Sequence, residues 1–165
     1  MILGMSISTF VVVHVVISLF AIASGFVAVA GLLKSESRPQ WTAFFLFTTV
    51  LTSVTGFMFP FGGVTPAFAF GVISMAVLAV ALLALYVFHL RNAWRWVYVV
   101  TALLALYLNC FVLIVQSFQK IGFLNALAPT QSELPFALAQ GILLLVFVGA
   151  GVLAVRRFRP MLLPA

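Results

Sequence analysis

Acidic residues are almost missing. The 165-residue chain holds no Asp and two Glu, Glu36 and Glu133. Both fall between apolar runs, which leaves no carboxylate pair for general acid–base work, no two-metal site and no buried acidic relay for proton-coupled transport. Cysteine occurs once, at Cys110, so an intramolecular disulfide, a dithiol redox centre and a cysteine-based zinc site are excluded. The P-loop, the dinucleotide glycine pattern and the HExxH zinc motif are absent. These gaps remove most membrane enzymes and pumps, and the expectation is a chain that is not an enzyme.

Charge of either sign is scarce, at 6% of residues, whereas 65% are hydrophobic and mean hydropathy is +1.33. Such a chain must be surrounded by lipid or by other apolar helices. The net charge of +6 does not point to nucleic acid, because the basic residues stand at the ends of apolar runs, where they set orientation and meet headgroups. The lipid bilayer is the expected partner. The run from Phe10 to Val27, followed by Ala28, Val29 and Ala30, has the outline of a signal peptide. It lacks a basic n-region and is long enough to span, so it is read as a first membrane helix.

Runs bounded by charge, Pro or Gly predict an all-α integral membrane protein, a single membrane domain over 1–165 with five transmembrane helices at about 7–33, 41–60, 67–90, 94–118 and 134–155. The expected connections are 34–40, the turn PFGGVTP at 60–66, 91–93 and 119–133, with Ser132 as N-cap of the last helix and Pro135 in its first turn. Five spans place Lys34, Arg38, Arg91, Arg95, Arg156, Arg157 and Arg159 on one side and Lys120 on the other. That split predicts an external N-terminus and a cytoplasmic C-terminus. Trp41, Trp94, Trp96, Tyr86 and Tyr98 gather at the cytoplasmic ends, as an aromatic belt does.

Orientation converts sequence position to depth. His14, Ser74 and Gln140 each fall roughly 10 Å below the outer surface at the rise of an α-helix. Thr52, Thr55, Asn109 and Gln116 reach the same half from the other direction. Thr48, Thr52 and Thr55 form one helical stripe, and Asn109, Gln116 and Lys120 another. His14 shares a face with Ser18, Ala21, Gly25 and Ala28, small residues that let membrane helices approach closely, while Leu32 is expected off that face. His14, Ser18, Thr52, Thr55, Ser74, Asn109, Gln116 and Gln140 are therefore the candidate ligand-binding residues, lining a polar cleft in the outer half. A plain alternative stands beside this for the threonines, since a Thr in a membrane helix commonly bonds the carbonyl one turn back. His89 shares a face with Leu85, Leu82 and Leu78 and reads as interfacial or lipid-facing.

A bis-histidine haem is excluded, because His14 and His89 lie roughly 20 Å apart along the normal. A haem held by His14 and Met58 is geometrically open, as is a quinone among Phe57, Phe59, His14 and Asn109 with the histidine donating to a carbonyl oxygen. The stretches TTVLTSVTGFMFPF at 48–61, YVFHLRNAWRWVYVVTALLALYLNCFVLIVQSFQK at 86–120 and LAPTQSELPF at 127–136 resemble those of a group of small bacterial multi-span membrane proteins. The resemblance covers most of the chain and implies a bacterial inner-membrane setting, but no activity, ligand or catalytic residue. The functional expectation is a binding or accessory protein whose cleft receives a small or amphipathic ligand or a partner subunit. A haem- or quinone-binding redox subunit and a small-solute permease built as an oligomer are the alternatives.

Overall fold

The computed structural model describes residues 1–60 and 66–159, the side chains of 66 and 67 excepted. It is helical throughout, with α1 Ile7–Lys34, α2 Pro39–Phe57, α3 Pro66–Leu82, α4 Trp94–Lys120, α5 Gly122–Leu127 and α6 Leu134–Arg157. No strand occurs among the described residues. Among the described residues, four helices are long and apolar enough to cross a membrane: α1, the run Phe68–Val87, α4 and α6. The 19-residue α2 is not among them, since Gln40 and its row of Thr and Ser lower its hydropathy. The expected turn over 60–66 lies almost wholly outside the described residues.

Helix α4 is the axis of the bundle. It packs on α1, α3 and α6, and 44% of its most apolar window is buried, against 6% for α6. Val99, Ala102, Leu103, Ala105 and Leu106 carry that burial. Helix α1 packs most extensively on α2, and Gly25 is the reason the two come close together with α4. A Cβ on Gly25 would lie 2.6 Å from Cδ1 of Leu106 and 2.9 Å from the Phe45 ring. Ala21 and Ala28, a turn away on either side, are also buried. The small-residue face thus does what close helix approach in lipid requires. Leu32, expected off this face, is on it, because it follows Gly25 by seven residues and so completes two turns. It is 4% exposed.

The ends of the helices differ from expectation in three places. Helix α3 passes into a π-helical turn over Leu83–Val87, and His89, Leu90 and Asn92 then take left-handed backbone angles. His89 is exposed as expected, but the wider turn breaks its shared face with Leu78, which is buried. Ser132 does not cap α6. Glu133 holds the N-cap position, and its carboxylate turns back to accept from Thr130 N, Thr130 Oγ1 and Ser132 N at 3.2, 2.8 and 3.1 Å. The predicted connection over 119–133 contains α5, with Gln131 Nε2 donating to the Val115 carbonyl at 2.8 Å. Tyr98, expected in the aromatic belt, is 2% exposed, whereas Trp41, Tyr86 and Trp96 do lie at the surface.

Two tethers hold α6. Gln140 Nε2 donates to the Phe111 carbonyl at 3.2 Å. At the other end Arg95 Nη1 donates to the carbonyls of Val155 and Phe158, supplying donors and positive charge to the last turn of the helix. Because nothing at Gly25 can yield without moving Phe45 and Leu106, Gly25→Leu should destabilise the fold by about 1–3 kcal/mol or more. Val12→Ala, at a position 61% exposed, should be nearly silent. Thermal unfolding in detergent compares the two.

Candidate functional site

The threonines of α2 share one local geometry. Thr48, Thr49, Thr52 and Thr55 each donate their hydroxyl proton to the carbonyl four residues back, at 2.7, 2.8, 2.9 and 2.7 Å. That bond satisfies the donor inside the helix and leaves the oxygen with acceptor capacity only. A partner helix can therefore bond these hydroxyls only by offering an N–H or O–H.

Two side chains do so. His14 Nδ1 of α1 lies 2.8 Å from Thr55 Oγ1, and Asn109 Nδ2 of α4 lies 3.3 Å from Thr49 Oγ1. When the Thr55 proton goes to the Leu51 carbonyl, Nδ1 of a neutral His14 carries the hydrogen. Nε2 is then the lone-pair nitrogen, and no described residue bonds it. The His14 ring is held at the edge of Phe59, centroids 5.4 Å apart, and Phe59 in turn meets the buried Phe10 at 5.1 Å. Next to the imidazole, a Cβ on Gly56 would sit 3.7 Å from His14 Cε1. The imidazole is thus fixed by one hydrogen bond and one aromatic contact.

Of the residues singled out from sequence, the structure joins His14 to Thr55 directly and places Thr52 beside them, since the Thr55 hydroxyl also lies 3.1 Å from the Thr52 carbonyl. Asn109 does not join that pair. It bonds Thr49, which is fully buried and off the expected stripe. Ser18 turns back to the His14 carbonyl at 2.8 Å. Ser74 is buried on α3, and Gln116 is half-buried on α4. Gln140 binds the α4 backbone through Nε2, and its Oε1 is buried with no partner among the described residues. No cluster of three or more metal-ligating side chains occurs among the described residues.

A cavity of about 120 Å³ lies at the opposite, basic end of the bundle, lined among others by Ser37, Arg38, Thr42, Tyr86, Tyr98 and Phe158. Sequence reasoning passed over these residues because they read as a solvated connection and an aromatic belt. The one available signal was the run SESRP at 35–39, where charge and hydroxyls adjoin a helix start. An apolar groove along α1, lined by Val16, Leu19, Phe20 and Ala23, has no polar group. Compared with protein-family models, with curated proteins and with solved structures, the chain matches none.

The acceptor-only state of the α2 hydroxyls has a direct test. Asn109→Asp puts an acceptor against Thr49 and should destabilise the fold by about 1–3 kcal/mol, whereas Thr48→Val, which removes only an intrahelical bond, should cost less than about 1 kcal/mol. Unfolding of the purified variants in detergent measures both.

Proposed function

We propose that the chain is a bacterial inner-membrane protein of five spans, α1 to α4 and α6, with its N-terminus outside and its C-terminus cytoplasmic. It works as a binding or accessory protein whose His14 end receives a small or amphipathic ligand, a partner segment or a second copy. Support for α2 as the fifth span comes from its length, about 28 Å at the α-helical rise. Its pairing with α1 adds to this, through His14–Thr55 near one end and Arg38 lying over Gly31 at the other. The seven-to-one basic split supports the orientation.

The observation that carries the binding reading is His14 itself. An ionisable ring on a spanning helix is costly and is usually there for a purpose, and this ring is anchored through Nδ1 while no described residue bonds Nε2. The ligand it suits is one that donates a hydrogen bond. A quinone carbonyl needs a donor and finds none on Nε2 of the neutral ring, so the quinone arrangement expected from sequence is disfavoured. The haem reading retains one supporting feature, because a metal-ligating histidine is commonly oriented by a hydrogen bond from its other nitrogen. Met58 follows Thr55 by three residues, at the end of α2.

Cysteines at 14 and 116 in a Cys110→Ser background should react with a membrane-impermeant thiol reagent added from outside, and one at the buried Leu78 should not. If position 14 stays unlabelled while Ser132→Cys reacts readily, the His14 end is plain helix packing. Reporter fusions after Ala165 and near Ala128 should fall on opposite sides, cytoplasmic and external. An absorption spectrum of the purified protein separates the readings, since bound haem gives an intense band that His14→Ala should abolish.

A further inference from the structure

From the cavity at the basic end we infer a second site, one that holds the phosphate of an anionic phospholipid. Five segments of the chain meet there, Phe158 after α6 being one. Ala28 and Leu32 of α1 form part of its floor, the connection gives Glu36, Ser37 and Arg38, α2 gives Pro39 and Thr42, and α4 gives Tyr98. Leu85 and Tyr86 come from the π-helical turn, and Leu90 follows from the left-handed stretch. Wide turns and bulky residues at positive φ are locally unfavourable and concentrate at functional positions. Here both occur in one segment, and that segment forms a wall of the cavity.

The lining matches one ligand chemistry. Arg38 donates through Nε and Nη2 to Glu36 Oε2 at 3.2 and 2.6 Å. A guanidinium has five N–H donors in a planar fork suited to phosphate, so three remain. The Arg38 stem is laid across Gly31, where even a Cβ would come within 3.1 Å of it, which holds the group in place. Ser37 and the hydrogen-bonded pair Thr42–Tyr98 add hydroxyls, the pair keeping one O–H to donate, and the first turn of α2 contains no acidic residue. Lys34, Arg91, Arg95, Arg156, Arg157 and Arg159 stand at the same end of the bundle, where Glu36, the one acidic side chain among the described residues there, is already paired. Bonding to Arg38 also holds the Glu36 carboxyl below its usual range, so it stays ionised and bound to Arg38 near neutral pH.

A free phosphate would use the donors and leave the rest of the lining unfilled. Ala28, Leu32, Leu85, Leu90 and Phe158 are apolar and suit the glycerol and upper acyl carbons of a lipid. Tyr86, exposed and part of the lining, supplies the ring surface that headgroup-level contacts favour. The lipid and free-anion sources thus differ in what they bury, and the experiment separates them.

The full chain in neutral detergent is titrated with phosphatidylglycerol, phosphatidylcholine or inorganic phosphate, and bound lipid is read by native mass spectrometry together with thermal unfolding. Phosphatidylglycerol should bind and raise the unfolding temperature, with the other two much weaker. Arg38→Gln should weaken phosphatidylglycerol binding about tenfold, as expected for loss of a charge-assisted contact. Arg156→Gln, the same charge change away from the cavity, should weaken it less than about twofold by losing only a screened surface charge. Thr42→Val and Tyr98→Phe keep the Arg38–Glu36 pair and should each weaken binding by a smaller factor, so the site remains testable if Arg38→Gln fails to fold. Equal losses in Arg38→Gln and Arg156→Gln would reduce the effect to general surface charge. Equal stabilisation by inorganic phosphate, or no preference over phosphatidylcholine, would overturn the lipid assignment.

Discussion

The arrangement depends on one close approach. At Gly25 the α1 backbone is near enough to Phe45 of α2 and Leu106 of α4 that no side chain fits between. Apolar side chains gain little by leaving lipid for one another, so membrane helices associate through tight van der Waals packing and a few hydrogen bonds. The Gly25 contact supplies the packing that brings three helices together. The His14–Thr55 and Asn109–Thr49 bonds follow from it, because they need α2 held against both neighbours at once.

The threonines of α2 show how a helix can be polar and still pack in an apolar bundle. Each hydroxyl is bonded to its own backbone, which avoids an orphaned donor, and each oxygen keeps room for one more donor. The polarity left over has a sense: it accepts and does not give. This explains why the facing residues are an imidazole and an amide, both of which can present N–H, in a chain whose two carboxylates are kept to the connections.

Much of this was legible in the sequence where the physics is periodic. Helix positions followed from runs of apolar residues, and the small-residue face of α1 pointed inward because Ala21, Gly25 and Ala28 recur with the helical repeat. His14 and Thr55, grouped in the sequence by a fixed rise per residue, lie within hydrogen-bonding distance. Other features depend on local backbone chemistry with no periodic signal. The π-helical turn at Leu83–Val87 is written in ordinary helix-forming residues, and nothing in Leu-Ala-Leu-Tyr-Val announces a wider turn. Thr49 was missed because it sits one residue from a stripe that looked complete without it. Tyr98 was assigned to the surface by its neighbours in sequence, though its contacts with Thr42 of α2 and with the Phe158 ring help to bury it. The cavity near it is lined by five separate segments, so no single segment could reveal it.

Helix α6 has only 6% of its most apolar window buried and is secured near its ends by Gln140 and Arg95. A helix whose side chains mostly meet lipid is governed by how apolar they are and hardly at all by their shape. Exchanges among Leu, Ile, Val and Phe along α6 therefore have many acceptable outcomes, while the same exchanges along the buried face of α4 meet close-packed neighbours. Two helices of similar composition and length thus differ widely in the number of sequences that can build them.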